Sequence, residues 1–239
     1  MQAKMKVHLI SHTKDPEQTI VAAIRQCYSA LSGKDLFDKA TDDQKDRLIR
    51  QIISSGHTST IEHASFTFAI EGVSRALTHQ LVRHRIASYS QKSQRYVNEK
   101  GFDYVRPPLV KANGEADKIF LKTIGDLQEA YAKLVDLGIP AEDARMLLPN
   151  ACETKIVVTM NARSLFNFFE ERMCSRAQWE IRKLANLMLA ECKKVAPGIF
   201  KYAGPTCETE GICWQGKLHC GKPDRDKKIE LRERCSLIK

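Results

Sequence analysis

Helical periodicity covers most of this chain and is interrupted by short stretches with the pattern of a β-strand. Within 66–71, Phe66, Phe68 and Ile70 alternate with small or polar residues, as in a strand with one buried face. The stretches 6–10 and 156–158 are also predicted as strands. Apolar residues recur at helical spacing over 16–29, 41–53, 116–137, 163–173 and 176–195. This balance predicts an α+β fold, a single mixed domain with a central antiparallel sheet flanked by helices.

Residues with special roles at helix ends indicate where several helices begin and end. Asp15 before Pro16 is typical of a helix start, with Asp15 as the cap. Thr41 and Gln44 have the pattern of a capping box. Glycines at the predicted ends, Gly56 and Gly138, indicate where two helices stop. Further helices are expected from near Ser74 and over 140–147.

The last part of the chain has a different composition. From Pro197 onward it is rich in Gly, Cys and Lys and is expected to be irregular. We therefore predict a main domain over 1–196 and a C-terminal extension over 197–239. The extension holds His219 and four cysteines, Cys207, Cys213, Cys220 and Cys235. Their spacing lacks the CxxC pair of strong zinc motifs, so ordinary thiols are favoured, no metal site is predicted, and zinc is the alternative.

Charge and hydropathy narrow the class of partner. The 239 residues include 38 Lys and Arg against 29 Asp and Glu, giving a net charge of +9. Such an excess favours anionic partners, which include nucleic acids, nucleotides and folates. We see neither an apolar run long enough to cross a membrane nor a signal peptide, so a cytoplasmic protein with reduced thiols is expected.

The segment RHRIASYSQKSQR, over 83–95, is the densest polar cluster. Each arginine fork can offer two N–H donors to two oxygens of a phosphate or carboxylate. Serine hydroxyls and the amide of Gln80 add further donors. The cluster predicts an anion site on a loop or turn. Two alternatives are a solvated basic face and a nucleic-acid contact, although the latter usually interleaves more aromatics than Tyr89 and Tyr96.

The spacing within this segment resembles a family signature. RHR is followed after two residues by Ser88, after four more by Ser93, and after one more by Arg95. Six fixed positions across thirteen residues rarely arise by chance. The pattern is similar to the signature of the flavin-dependent thymidylate synthases.

Two further segments carry the same resemblance. Upstream, the sequence from Gly56 to His63 matches GHxxxxEH. Downstream, Asn161 begins NARSLxNFxxxR, and Ala177 begins AQWEI. The segments keep the order found in the family and cover most of 16–195.

The resemblance implies a reaction and its partners. The family converts dUMP to dTMP, with methylenetetrahydrofolate as carbon donor, reduced FAD as hydride source and NADPH as reductant. It also implies a homotetramer with active sites at subunit interfaces, and no nucleic-acid or membrane partner. Because the chain lacks a GxGxxG motif, NADPH is expected to visit transiently.

Residue by residue, the resemblance implies two ligand sets. The family's dUMP positions correspond here to Gln80, Leu81, Val82, Arg83, Gln91, Lys92, Ser93, Gln94, Arg95, Arg145 and Arg172. Its FAD positions correspond to His57, Ser59, Glu62, Arg83, His84, Arg85, Ile86, Gln91, Asn161, Arg163 and Asn167.

Within the dUMP set, Arg95 and Arg145 are the candidates for the phosphate. Arg172 is the candidate catalytic residue, because a guanidinium beside uracil stabilises negative charge as C5 becomes a nucleophile. Ser93 is assigned to binding, since its neighbours in sequence include no base that would activate it. Gln94, Gln91 and Cys27 stand where relatives often carry Gly, Glu and Ser respectively.

Each candidate also has a structural alternative. His57 and Asn161 could simply cap helices or bond the backbone. Glu62 could pair with a surface lysine, and Arg172 with Glu171. The classical thymidylate synthases, which use a cysteine nucleophile, are a further comparison. Against them, none of four cysteines is expected in the polar cluster, namely Cys27, Cys152, Cys174 and Cys192.

Overall fold

The strands that the structure describes form one four-stranded antiparallel sheet. A computed structural model describes residues 1–221. The strands are β1 (Lys6–His12), β2 (Ser65–Ser74), β3 (Ser88–Gln91) and β4 (Glu153–Asn161), in the order β1-β2-β4-β3. The predicted α+β class is confirmed. Three strands were predicted and are longer than expected, whereas β3 was expected to be a loop.

Two compact units make up the described chain. The first unit comprises Met1–His8 and Phe68–Val158, and the second comprises Leu9–Thr67 and the chain from Thr159 onward. Helices of the first unit are α4 (Arg75–Leu81), α5 (Pro108–Ala112), α6 (Gly114–Asp136), α7 (Ala141–Ala144) and a 3-10 turn, Arg145–Leu147. Helices of the second are α1 (Pro16–Gln26), α2 (Gly33–Asp38), α3 (Asp42–Ser54), α8 (Ala162–Arg172), α9 (Trp179–Val195), α10 (Pro197–Phe200), α11 (Thr206–Thr209) and the 3-10 segments Thr58–His63 and Gly216–Leu218.

In the first unit, the long helix α6 packs on a small apolar cluster. Ile124 of α6 is buried with Phe102 and Cys152, and Tyr104 and Phe120 pack against them. The start of α6 is capped by Asn113, whose Oδ1 accepts from two backbone N–H groups. Its end at Asp136, just before Gly138 in the left-handed region at φ 87°, confirms the predicted stop.

Gly72 is a position in β2 where the backbone requires glycine. Its φ is 68°, and a Cβ there would lie 2.1 Å from the carbonyl oxygen of Lys4. The Gly72 N–H donates to Glu153 Oε1 at 3.0 Å. Any side chain at this position would push the two backbone segments apart.

In the second unit, Phe200 is the centre of an aromatic cluster. Its ring lies 5.1 Å from Phe66, 5.8 Å from Phe166 and 6.1 Å from Phe169, measured between centroids. The expectation of an irregular chain from Pro197 is therefore wrong for α10 and α11, because Ile199 and Phe200 enter the core. The domain boundary at 196 stays a prediction, with packed residues continuing beyond it.

The ends predicted from the sequence are confirmed for the start of α3 and are wrong in part for α1. The capping box of Thr41 and Gln44 is present at the start of α3. Asp15 does precede α1, but its φ is 45° and its side chain makes no capping hydrogen bond. The predicted extension of α1 to 29 is also wrong, since the helix ends at Gln26. Among the described residues, the structure has no helix long and apolar enough to cross a membrane.

Candidate functional site

In the first unit, Tyr89 shapes the turn that presents the arginine cluster. Its hydroxyl, on β3, donates to the carbonyl oxygens of Leu81 at 2.9 Å and His84 at 2.7 Å. Burial raises the pKa of Tyr89 to about 12, so the hydroxyl keeps its proton at neutral pH. The chain between α4 and β3 is thereby pinned on itself, while Arg83 and Arg85 are left exposed.

The strand β3 corrects the expectation that 83–95 is entirely a loop. Its polar residues alternate, with Ser88 and Ser90 exposed and Tyr89 and Gln91 half-buried. Gln91 Nε2 donates to Thr78 Oγ1 at 3.0 Å and to Thr154 Oγ1 at 3.2 Å. This side chain is accordingly used to join α4, β3 and β4.

Lys92 follows β3 and enters a buried ionic network. Its Nζ donates to Glu99 Oε2 at 3.2 Å and to Glu153 Oε2 at 3.3 Å, and both carboxylates are buried. Burial lowers the pKa of Lys92, but hydrogen bonds and attraction from the two glutamates outweigh burial and raise it. The lysine charge is thus compensated within the first unit before any substrate arrives.

Arg95 and Arg145, the two candidates for the phosphate, meet at Glu142. Arg95 Nε donates to Glu142 Oε2 at 2.6 Å, and Arg145 Nε donates to the backbone carbonyl of Glu142 at 3.1 Å. Both arginines are exposed. Residues 50 positions apart are thus gathered at the start of one short helix, α7, and their guanidinium groups can serve one dianion.

Cys152 lies closer to this cluster than the sequence indicated. Gln94 Nε2 donates to Cys152 Sγ at 3.6 Å, so this cysteine contacts the signature segment although it lies outside it in sequence. Burial, followed by the charge of Glu99, raises the pKa of Cys152 to about 12. A thiol with this pKa is protonated at neutral pH and is a poor nucleophile. Cys152 is therefore unsuited to act as the cysteine nucleophile that the classical thymidylate synthases use.

In the second unit, Asn161 ends β4 and caps α8. Its Oδ1 accepts from the Ser164 N–H at 2.9 Å. The Ala162 N–H donates to the Ala64 carbonyl at 2.8 Å, which holds the helix start against the end of the 3-10 segment Thr58–His63. The predicted strand and the predicted helix therefore meet at Asn161, and the capping role that the sequence offered as an alternative is present.

The same contact brings Arg163 to Glu62. Arg163 Nη1 donates to Glu62 Oε1 at 2.5 Å, and both side chains are about half exposed. The alternative that Glu62 pairs with a lysine is not what the structure shows. His57 and Ser59 are exposed on the 3-10 segment and the residue preceding it.

A cavity of about 970 Å³ lies beside this helix start in the second unit. Arg163 and Asn167, both FAD candidates, line it together with basic residues that the sequence did not single out, Arg50, Lys193 and Lys201. Arg50 and Lys201 both pair with Asp46. The sequence offered only a weak indication of these basic residues, namely that Asp46 and Arg50 stand one turn apart in a predicted helix and can form an ion pair.

Arg172 lies at the end of α8. Its Nη2 is 3.6 Å from Glu171 Oε2, and its side chain is 23% exposed. The ion pair with Glu171 that the sequence offered as an alternative is thus present. Because Glu171 is half exposed, this ion pair by itself is weak.

Comparisons with known proteins place the chain in a family. Residues 8–198 match the family model Thy1, described as thymidylate synthase complementing protein. The chain is 47% identical over 243 residues to a flavin-dependent thymidylate synthase of Clostridium tetani, covering 95% of this chain and 97% of the relative. The chain belongs to the flavin-dependent thymidylate synthase family. A relative from Geobacter sulfurreducens with the same description is 52% identical over 227 residues, covering 94% and 97%.

A solved structure of low identity has the same fold. This structure, a UMP/dUMP methylase, PolB, from Streptomyces cacaoi bound with 5-Br dUMP, superposes with a TM-score of 0.74. It is 24% identical and covers 84% of this chain and 94% of the other. The likeness extends the family's α+β fold to a distant chain.

Proposed function

We propose that this member of the family forms dTMP from dUMP with the two residue sets, for dUMP and for FAD, that the resemblance implies. The reaction uses FAD as cofactor and NADPH and methylenetetrahydrofolate as co-substrates. The observation that carries the assignment of the dUMP set is the meeting of Arg95 and Arg145 at Glu142. A nucleotide monophosphate is a dianion, and two exposed guanidinium groups supply matching charge and paired donors.

In the first unit, both side chains and backbone groups are assigned to dUMP binding. Arg95 and Arg145 bind the phosphate, with the half-buried Ser93 adding its hydroxyl. Arg83 binds at the junction of nucleotide and flavin. Leu81 is fully buried, so its contribution comes through the backbone. Gln91 and Lys92 bond inward, and we assign them to holding the segment in shape.

Arg172 is the catalytic residue of the proposal. Its guanidinium bonds the polar edge of uracil and stabilises the negative charge that develops when C5 attacks the carbon donor. The attack forms the carbon–carbon bond, the bond between that carbon and the folate nitrogen breaks, and the proton of C5 leaves to solvent. No cysteine nucleophile is required, in agreement with the raised pKa of Cys152.

The second unit has the features needed to hold FAD. A pyrophosphate requires N–H donors and positive charge, and the guanidinium of Arg163 at the start of α8 offers both. The adjoining cavity of about 970 Å³ is in the range of cofactor sites and carries three further basic side chains. The candidates to hold the group in this unit are His57, Ser59, Glu62, Asn161, Arg163 and Asn167, and the further FAD candidates His84, Arg85 and Ile86 lie in the signature segment. When bound, FAD supplies the hydride that completes the methyl group.

The oligomeric state completes the proposal. We infer a homotetramer whose active sites lie at subunit interfaces. Support comes from exposed functional arginines in both units, Arg83 and Arg163 among them, which a partner subunit would cover. A cytoplasmic location is proposed with it, because the seven cysteines that the structure describes are free thiols.

Ligand binding to single variants tests the residue roles. Arg95→Gln and Arg145→Gln should each weaken dUMP binding about tenfold or more and leave deoxyuridine, which lacks the phosphate, nearly unaffected. Arg172→Ala should lower kcat by about a hundredfold or more while the melting temperature stays close to that of the parent. Equal losses of dUMP and deoxyuridine affinity would overturn the phosphate assignment.

A further inference from the structure

Four cysteines distant in sequence line one cavity of the second unit. The cavity has a volume of about 270 Å³. Cys174 lies in the connection between α8 and α9, Cys207 in α11, Cys213 just after α11, and Cys220 after the last 3-10 segment. The sequence had grouped the last three with Cys235, which lies outside the described residues, and had left out Cys174. The fold therefore assembles a four-thiol cluster that spacing alone did not predict.

Cys207 interacts electrostatically with each of the other three thiols. Burial raises the pKa of Cys207, and the charges of Glu208 and of the other three thiols raise it further. Within 1–221, no three His, Cys, Asp or Glu side chains already stand close enough together to hold a metal ion. The thiols thus occupy the walls of the cavity and do not surround a single point.

The surroundings of the cluster allow these thiols to converge. A cysteine Sγ moves by rotation about one bond, and all four cysteines lie in connections or in a four-residue helix. The open volume of the cavity lies between them. Tetrahedral coordination by four thiolates at about 2.3 Å is the closed form of a structural zinc site.

Two arginines in the lining of the cavity can compensate the charge of a bound zinc–thiolate centre. Zinc with four thiolates carries two net negative charges, which a cavity must compensate. Arg176 and Arg182 line the same cavity, and Arg182 Nη1 donates to the Ser175 carbonyl at 2.9 Å. This bond holds one guanidinium beside the loop that carries Cys174.

We propose that Cys174, Cys207, Cys213 and Cys220 bind one zinc ion as a closed structural site. Zn²⁺ enters from solvent, four Zn–S bonds form, and the thiol protons leave to solvent. With four protein ligands, the ion has no open position for water, so it takes no part in the reaction. The site would join the segment after Phe200 to the end of α8, two residues beyond Arg172.

Metal analysis of the purified full-length protein tests the proposal. Cells are grown with zinc, and the protein is isolated without chelators. We expect one equivalent of zinc per chain by elemental mass spectrometry, and sulfur scatterers alone at about 2.3 Å in X-ray absorption at the zinc edge. The double variant Cys207→Ser/Cys213→Ser should fall to a trace of zinc. Cys27→Ser, an exposed thiol outside the cavity, should keep the full equivalent.

The outcomes separate the alternatives. Parent protein without stoichiometric zinc overturns the proposal, whether its cysteines are alkylated as free thiols or found as disulfides by mass spectrometry. Nitrogen or oxygen ligands in the absorption spectrum, or full zinc in the double variant, overturn it as well. Should the double variant not fold, the metal content and ligand set of the parent still decide. Flavin binding is measured separately, so loss of the proposed enzyme function would not mimic loss of zinc.

Discussion

Lys92, a residue of the signature segment, lies in a buried ionic network of the first unit. Its ammonium group lies between Glu99 and Glu153, and both carboxylates are buried. Glu153 also accepts from the Gly72 N–H, and the N–H of Glu99 donates to the hydroxyl of buried Tyr131 at 3.2 Å. The segment that presents Ser93 and Arg95 therefore begins at a fixed point in the first unit.

Replacing this lysine should destabilise the fold before it affects binding. Lys92→Met leaves two buried carboxylates without a countercharge, at a cost of about 3–5 kcal/mol in the free energy of unfolding. Urea denaturation followed by circular dichroism measures the loss. The matched control is Lys100→Met, because Lys100 pairs with Asp136 at the surface and its loss should cost less than about 1 kcal/mol. Unchanged stability with weakened dUMP binding would instead make Lys92 a substrate ligand.

At the scale of elements, the short helix α7 places a carboxylate where a phosphate is proposed to bind. Glu142 holds Arg95 at 2.6 Å, yet its charge repels a dianion. These two effects oppose each other. Because Arg145 is held through the Glu142 backbone and not its side chain, neutralising the carboxylate leaves that arginine in place.

Neutralising this carboxylate should strengthen nucleotide binding. Glu142→Gln removes repulsion of the phosphate and keeps an acceptor for Arg95, so the KM for dUMP should fall by about twofold to tenfold. Steady-state kinetics over a range of dUMP measures it. Glu115→Gln makes the same charge change at an exposed position in the same unit and should leave KM unchanged. A raised KM in Glu142→Gln alone would mean that the ion pair's orienting role outweighs repulsion.

The elements also show what the sequence could supply. Strong periodicity and caps predicted α3, α6 and α9, because buried faces and end residues are local signals. The strand β3 was missed because its four residues are polar and its pairing is fixed by Gln91 and Tyr89 bonds to other elements. The composition of the tail predicts an irregular chain, but it does not reveal that Phe200 packs among three phenylalanines of other segments.

In the candidate site too, the sequence predicted some features and only the structure revealed others. The motifs identified its residues, but the partners Glu142 for Arg95 and Glu62 for Arg163 come from separate segments. The basic wall of Arg50, Lys193 and Lys201 had no motif to mark it. Contacts between exposed side chains from distant segments produce no periodic pattern in the sequence, so they could not be predicted from it.

For the whole molecule, the central structural proposal is a tetramer that shares its active sites. Light scattering should give a mass about four times the 27.1 kDa of the chain. Coexpression of Arg172→Ala with Arg95→Gln should restore part of the activity that each variant lacks, since some interfaces then combine two intact surfaces. If mass spectrometry shows tetramers that contain both variants and these tetramers are inactive, each complete site must lie within one subunit.

The reaction itself gives the most direct test of the account. Purified protein is mixed anaerobically with FAD, NADPH, methylenetetrahydrofolate and dUMP labelled with tritium at C5, and flavin absorbance is recorded. We predict a yellow protein whose flavin is bleached by NADPH, followed by tritium release and dTMP formation in equal amounts. A protein that takes up no FAD and releases no tritium from C5 would contradict the assignment of these residues to flavin-dependent methylation of dUMP.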